Sequence, residues 1–187
     1  MDAEWIWDRL DPVEKRIVEL LLEGRSNKVI AAEIPLSRAR VQERVKRITI
    51  KAGAASTREA LVLLAQERET SSLLSILDQA TDAVAILQDR ACKFANKALA
   101  KLLGYTTEEM EGIPFVEFVA PGARDQQVTR YEERLKGEPF PGRYTTRALC
   151  KTGELKELVV ASGGMVRFKG RPAMMAIIFD SQRGGSQ

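Results

Sequence analysis

The spacing of apolar residues changes near residue 70 and divides the chain into two kinds of structure. Up to residue 68, apolar residues recur every three or four positions, which is typical of short amphipathic helices. Further along, short apolar runs such as AVAIL (83–87) alternate with Gly-containing turns, which is typical of strands. We therefore predict two domains: residues 1–68, which are all-α, and residues 69–187, which are α+β and begin with a linker helix.

The helices of the first domain are predicted from their capping residues. Pro12 favours the first position of a helix, and Gly24 and Gly53 favour helix ends. Short polar side chains that accept a hydrogen bond from the first turn precede each helical segment. These N-caps are Asp11, Ser26, Ser37, and Ser56 or Thr57. The pattern predicts a four-helix bundle.

The third segment, residues 37–51, combines a narrow apolar stripe with many Lys and Arg residues. Val41, Val45 and Ile48 share one side at helical spacing, so we expect them in the core. A short helix and a tight turn at Pro35 precede the segment, as in a helix-turn-helix whose second helix enters the DNA major groove. Basic side chains beside the groove bind phosphates, and outward side chains contact base edges. The candidate DNA-binding residues of this segment are Ser37, Arg38, Arg40, Gln42, Glu43, Arg44, Lys46 and Arg47.

Two interpretations of this basic helix remain open from the residues alone. Glu43 either accepts a hydrogen bond from cytosine N4 or pairs with Arg47 four residues later. The whole helix either binds double-stranded DNA or is a solvated surface helix.

Residues 9–66 resemble the four-helix DNA-binding domain of LuxR-type (GerE-type) regulators. The resemblance rests on LLLEGRSNKVIA, on LS before the third helix, and on KAG followed by S-x-x-E-A. It implies that Lys28 and Arg44 contact phosphates, that Gln42, Glu43 and Lys46 face bases, and that the fourth helix, residues 57–66, forms a dimer contact. The family often has Lys and an apolar residue where Gln42 and Glu43 stand here.

The stretch NKALAKLLGYTTEEMEG, residues 96–112, carries a second resemblance. Asn96 is a candidate helix cap, and Gly104, Thr106, Glu109 and Gly112 follow at the spacing Asn-x7-Gly-Tyr-(Ser/Thr)-x-Glu-Glu-(Leu/Met)-x-Gly. With its flanks, over residues 72–181, it resembles a PAS domain. The resemblance implies a five-stranded antiparallel sheet with helices across one face, a pocket for a small molecule, and a role in sensing and dimerisation.

The candidate pocket is mostly apolar. Arg130, Tyr131 and Tyr144 are expected to orient a polar or acidic head group. The alternative is that these residues only fill the core. The candidate ligand-binding residues are Ile86, Phe94, Leu103, Phe115, Phe118, Arg130, Tyr131, Tyr144, Met175 and Ile177.

Missing residue types exclude several cofactors and reactions. The chain has no histidine, which argues against His-ligated haem, catalytic triads and most catalytic zinc sites. The Asn-Cys-Arg-Phe-Leu motif of flavin photoadducts is absent. Cys92 and Cys150 are expected to be reduced and to act as small hydrophobic residues. We expect no catalytic or metal site, so a small organic ligand is the only cofactor candidate.

These features predict a DNA-binding transcription regulator controlled by its PAS domain. We expect a cytoplasmic protein, because the chain has no signal peptide and no apolar run that could span a membrane. A homodimer is expected through helix 57–66 and the PAS start helix, with Leu61, Leu64, Leu73, Leu74 and Leu77 on its apolar side. In the alternative, ETSS (69–72) is a flexible break, or the helical unit is degenerate and the PAS domain is an interaction module.

Overall fold

The computed structural model describes residues 5–138 and 142–181, apart from the side chain of Ser162. The chain folds into two compact units, a helical one up to Ser72 and a mixed one from Leu73 onward. The Gly-rich tail was predicted to fray, and its residues 182–187 lie outside the described part.

Four α-helices build the N-terminal unit, with a short 3-10 turn at Ile6–Arg9 before them. The predicted caps Asp11, Ser26 and Ser37 are confirmed, since each side chain accepts a hydrogen bond from the first turn of its helix. At the first cap, the Glu14 carboxylate also accepts from the Asp11 backbone N–H at 3.0 Å. The helices are α1 (Pro12–Leu22), α2 (Asn27–Glu33), α3 (Arg38–Lys51) and α4 (Thr57–Asp78).

The fourth helix differs from the prediction in its length. Ser56 caps it, accepting from the Glu59 backbone N–H at 3.1 Å, but the helix continues through ETSS to Asp78. The sequence predicts two short helices here, residues 57–66 and the PAS start helix SLLSILDQA, residues 72–80. In the structure they belong to one helix of 22 residues. No Gly or Pro interrupts it, and the Thr70 hydroxyl donates to the Gln66 carbonyl at 2.8 Å, so the polar residues are accommodated within the helix.

The core of the N-terminal unit confirms the apolar stripe predicted for α3. Val41, Val45 and Ile48 are buried, and Ala52 is half-buried. Leu64 of α4 is fully buried in the same core, and Leu61 packs against it. Leu64 therefore packs inside its own bundle, and Leu61 is half-buried against the same core.

The C-terminal unit contains a five-stranded antiparallel sheet in the order β2-β1-β5-β4-β3. The strands are β1 (Ala83–Gln88), β2 (Ala91–Ala95), β3 (Arg143–Leu149), β4 (Leu155–Phe168) and β5 (Arg171–Asp180). Between β2 and β3 the chain forms three α-helices, α5 (Lys97–Leu103), α6 (Thr107–Met110) and α7 (Arg124–Leu135), and 3-10 turns at Phe115–Phe118 and Pro121–Ala123. Apolar residues of these helices pack on one face of the sheet.

Strand β4 is longer than the sequence indicated. The run ELKELVVAS predicts a strand over residues 154–162, before a glycine pair. The strand in the structure continues to Phe168 through a bulge at Gly163 and Gly164. A Cβ atom at Gly163 would lie 2.5 Å from Met175 Cε, and Gly164 has a φ of 85°. The glycines therefore form the bulge inside the strand and do not end it.

Candidate functional site

A cavity of about 110 Å³ lies between the sheet and the helices of the C-terminal unit. Six predicted residues line it: Leu103, Phe115, Phe118, Arg130, Tyr131 and Tyr144. They come from α5, the 3-10 turn Phe115–Phe118, α7 and β3. These elements surround one space in the structure.

Four predicted lining residues lie on the other face of the sheet. Ile86 pairs with both Phe94 and Met175, and Val84 pairs with Ile177, so Ile86, Phe94, Met175 and Ile177 share one face. Successive strand residues point to opposite faces. The sequence predicted these strands but assigned the wrong face of the sheet to the cavity. Because neighbouring strand residues point to opposite faces, an error of one position moves all four side chains away from the cavity.

The sheet residues at the cavity are neighbours of those four. In β1, β2 and β5 the wall is built by Ala85, Leu87, Cys92, Met174, Ala176 and Ile178. Small residues at 85 and 176 leave space beside the helices. The alternation of polar and apolar residues did not reveal the cavity face, because apolar residues point to both faces of the sheet in these strands.

One end of the cavity is polar. The Tyr144 hydroxyl donates to Gln127 Oε1 at 2.8 Å, and Gln127 Nε2 lies 3.1 Å from the Thr146 hydroxyl. The Arg130 guanidinium lies 4.1 Å from the centre of the Tyr144 ring, a cation–π contact. Burial raises the pKa of Tyr144, against the opposing effect of Arg134 and Arg130. The phenol is therefore a neutral hydrogen-bonding group near neutral pH.

A second arginine lies one helical turn further along α7. Arg134 lines the cavity with only 8% of its surface exposed, and its Nη1 lies 2.8 Å from Met174 Sδ. Burial lowers the pKa of Arg134. Sequence analysis missed both Gln127 and Arg134, although their spacing from Tyr131 on one helix face was a usable signal.

Both cysteines are buried and free, as predicted. Cys92 lies in β2 at the cavity wall, where burial raises the pKa of its thiol to about 12. Burial also raises the pKa of Cys150, which follows β3 directly. Both side chains are neutral packing groups near neutral pH.

The helix-lined sheet and its cavity agree with the comparisons. The family model for the PAS fold matches residues 72–179, more than half of the chain. The chain belongs to the PAS family. None of the curated proteins matches it.

Solved structures share the fold of the PAS domain at low sequence identity. A PAS domain of a two-component sensor histidine kinase has a TM-score of 0.50 and 14% identity, over 62% of this chain and 99% of that one. A PAS domain from Colwellia psychrerythraea gives 0.50 and 18%, over 60% and 97%. A LOV protein of Rhodobacter sphaeroides gives 0.51 and 14%, over 63% and 70%. These likenesses show the fold alone.

Outside the PAS domain, the candidate DNA-binding residues lie on α2, on α3 and at the α3 cap. Eight are exposed: Lys28, Ser37, Arg38, Arg40, Gln42, Glu43, Lys46 and Arg47. Arg44 is half-buried and forms an ion pair with Asp11 at the start of α1. The structure thus gives Arg44 a bond inside the bundle in addition to the phosphate contact that was predicted.

The remaining acids near α3 pair with its basic residues. Glu43 Oε1 lies 3.6 Å from Arg47 Nη2, so the intrahelical pair exists, with both side chains at least half exposed. Lys51 Nζ lies 2.6 Å from the fully buried Glu14 carboxylate and 2.8 Å from the Arg9 carbonyl. Lys51 therefore anchors α3 to α1.

Within residues 5–138 and 142–181, no helix has the length and hydrophobicity that a bilayer crossing requires. The same residues contain no group of three or more Cys, Asp or Glu side chains placed to bind a metal ion.

Proposed function

We propose that the chain is a cytoplasmic DNA-binding transcription regulator of the LuxR type whose activity is set by its PAS domain, and that it acts as a homodimer without catalytic activity. The observation that carries this proposal is the division of α3 into two sides. Val41, Val45 and Ile48 are buried in the bundle, while the basic side chains on the outside are exposed. An exposed basic helix after a short helix and a four-residue turn suits docking in a major groove.

The exposed residues fall into two roles. Arg38, Arg40 and Arg47 supply positive charge for phosphates, which gives affinity without sequence preference. Gln42 and Lys46 are suited to base edges, as an adenine and a guanine contact respectively. Arg44 forms an ion pair with Asp11. If it also contacts a phosphate, its guanidinium group binds the phosphate and the Asp11 carboxylate at the same time.

Sensing is proposed for the cavity of the PAS domain. It is enclosed by apolar side chains with a few polar groups at one end, the composition of small-molecule sites. Helix α4 runs from the helical unit into this domain without a break, so we propose that a change at its C-terminal end is transmitted along the helix.

Salt-dependent binding of the full chain to duplex DNA tests the proposal. Fluorescence anisotropy with a 30-base-pair duplex should show log K falling with log salt by about 0.9 per phosphate contact. Arg40→Ala should reduce the magnitude of that slope by about 1. Lys136→Ala, which removes an exposed charge after α7, is the control and should not change it. Binding that is absent, or unchanged by Arg40→Ala, Lys46→Ala and Arg47→Ala together, would contradict DNA recognition by α3.

One observation favours the alternative, a PAS interaction module with a helical unit that does not grip DNA. Arg44 and Arg47 already have acidic partners in Asp11 and Glu43. Glu43→Gln separates the two functions, because it leaves a PAS interaction unchanged. A regulator that reads a base through Glu43 should change its sequence preference, with little change in general affinity.

A further inference from the structure

The polar end of the PAS cavity carries positive charge. Arg130 and Arg134 both line it, four positions apart on α7, and none of the lining residues among 5–138 and 142–181 is Asp or Glu. Both guanidinium groups approach the Tyr144 ring, at 4.1 and 5.9 Å from its centre. Gln127, Thr146 and Arg147 also line the cavity, and the rest of the wall is formed by aliphatic, aromatic and sulfur-containing side chains, including Leu87 and Met174.

The hydrogen bonds at this end do not include Arg130 Nη1. Gln127 bonds to both Tyr144 and Thr146. Arg130 Nη1 is buried and has no hydrogen-bond partner within the part of the chain that the structure describes. A guanidinium group offers five N–H donors and no acceptor, and a buried charged donor is costly to leave unpaired. The atom therefore needs an acceptor, and an anionic acceptor satisfies both its hydrogen bond and its charge.

The acid nearest to Arg130 in the sequence is already engaged. Glu132, two residues after Arg130, forms an ion pair with Arg90 of the β1–β2 turn. The Arg130 guanidinium lies over the Tyr144 ring at the cavity end. A planar, oriented guanidinium group matches the two oxygens of a carboxylate.

The cavity volume limits the remainder of the ligand. One water molecule requires about 10 to 15 Å³ of cavity volume, so 110 Å³ holds about seven to ten groups the size of a water molecule or a methylene. The apolar wall gives such groups no hydrogen-bonding partners and favours a hydrocarbon chain.

We propose that the PAS cavity binds a short aliphatic monocarboxylate of about four to six carbons, whose carboxylate accepts hydrogen bonds from Arg130 and whose chain lies against Leu87, Phe115 and Met174. This inference rests on the sensing role proposed above for the PAS domain. It adds the charge and the size class of the ligand, and it makes Arg130 the residue that selects for an anion.

Isothermal titration calorimetry of the full chain with sodium hexanoate tests the inference, with hexanamide as the neutral ligand of the same shape. Hexanoate should bind, and hexanamide should bind at least about tenfold more weakly, because it lacks the charge-assisted hydrogen bonds. Arg130→Gln should weaken hexanoate binding about 10- to 100-fold. Arg130→Lys, which keeps the charge without the planar fork, should fall between the two. Lys136→Gln removes the same charge from an exposed position after α7 and should leave the affinity unchanged.

A second measurement locates the bound ligand without relying on calorimetry. In a protein with ¹³C-labelled methionine methyl groups, hexanoate should shift the signal of Met174 at the wall and leave that of Met165, which is 48% exposed, in place. Circular dichroism of Arg130→Gln shows whether that variant is folded. If Arg130→Gln is unfolded, two measurements on the unaltered chain still test the inference. They are the comparison of hexanoate with hexanamide and the shift of the Met174 signal.

Each outcome has one meaning. Equal binding of hexanamide and hexanoate would overturn the selection for an anion while leaving a sensing cavity. Unchanged affinity in Arg130→Gln would overturn the role of Arg130. Absence of both heat and a Met174 shift would overturn the ligand class. DNA binding is measured on the protein without ligand, so failure of the proposed regulator is detected separately.

Discussion

Asn96 Nδ2 donates a hydrogen bond of 3.0 Å to the carbonyl of Leu77, near the last turn of α4. The same side chain accepts from the Val84 backbone N–H at 2.9 Å and from the Leu99 backbone N–H at 3.0 Å. Asn96 is fully buried. One side chain thus joins the end of α4, the start of β1 and the first turn of α5, which carries two residues of the cavity wall.

Replacement of Asn96 is expected to be among the most damaging single changes in the PAS domain. Asn96→Ala removes the cap of α5 and leaves buried backbone donors and acceptors unpaired, so the free energy of unfolding should fall by about 3 kcal/mol. All three tyrosines lie in this domain and both tryptophans lie in the helical unit. Far-UV circular dichroism and tyrosine emission during urea unfolding therefore report on it.

An exposed amide provides the control for this experiment. Gln79→Ala changes a solvent-exposed side chain one residue after α4 and should alter stability by less than about 0.5 kcal/mol. If Asn96→Ala costs no more than Gln79→Ala, the hydrogen bonds to Val84, Leu99 and Leu77 are not the link between these elements.

The pair of Lys51 and Glu14 gives a second prediction, in the helical unit. The Glu14 carboxylate is fully buried, and Lys51 Nζ lies 2.6 Å from it. Lys51→Met leaves that carboxylate buried without its cation, which should lower the free energy of unfolding by about 3 kcal/mol. Trp5 and Trp7 belong to this unit, so tryptophan emission during urea unfolding measures the effect.

A double substitution separates the ion pair from simple packing. Glu14→Gln combined with Lys51→Met removes both charges while keeping an amide that can still accept from the Asp11 backbone N–H. The double variant should therefore be more stable than Lys51→Met alone. A double variant that is less stable than Lys51→Met would mean that the loss came from packing of the lysine stem.

The acid stability of the helical unit should depend on Asp11. The hydrogen bond from the Glu14 backbone N–H and, to a smaller extent, the Arg44 guanidinium hold the pKa of Asp11 below its ordinary value of 3.8. Because the folded-state pKa is the lower one, the ionised carboxylate stabilises the fold above the ordinary pKa, and this contribution is lost as the pH falls through the folded-state pKa.

Asp11→Asn tests this dependence, since asparagine can still cap α1 but carries no charge. Urea unfolding followed by tryptophan emission should show a shallower loss of stability between about pH 5 and pH 2 in the variant. An equal slope in the two proteins would mean that other carboxylates account for the acid unfolding.

The helical unit was the more predictable half, and the reason is local chemistry. Its caps at Asp11, Ser26 and Ser37 depend on hydrogen bonds within one turn, and sequence spacing determines these directly. The burial of Val41, Val45 and Ile48 follows from periodicity. Partners in other helices, such as Asp11 for Arg44 and Glu14 for Lys51, depend on how the helices pack and have no signal in the spacing.

The PAS cavity was predictable in its elements but not in its sheet face. In β5, the run from Ala173 to Phe179 is apolar at every position, so alternation cannot distinguish the cavity face from the opposite face. The pairing register decides between Met174 and Met175, and this register depends on long-range contacts. Helix and turn residues such as Leu103 and Phe115 were easier, because each has one apolar side.

The last prediction concerns the dimer, which the exposed apolar residues of α4 support in revised form. Leu61 and Leu64 are used in the core, but Leu73 and Ile76 are 56% and 64% exposed, three positions apart. Ile76→Lys should raise the dimer dissociation constant by about 100-fold, because a two-fold interface contains the residue twice. Sedimentation equilibrium measures this constant, and Ile50→Lys, at a site that is 77% exposed on α3, is the matched control. A chain that is monomeric at high concentration, or an equal effect of both substitutions, would exclude an interface at this end of α4.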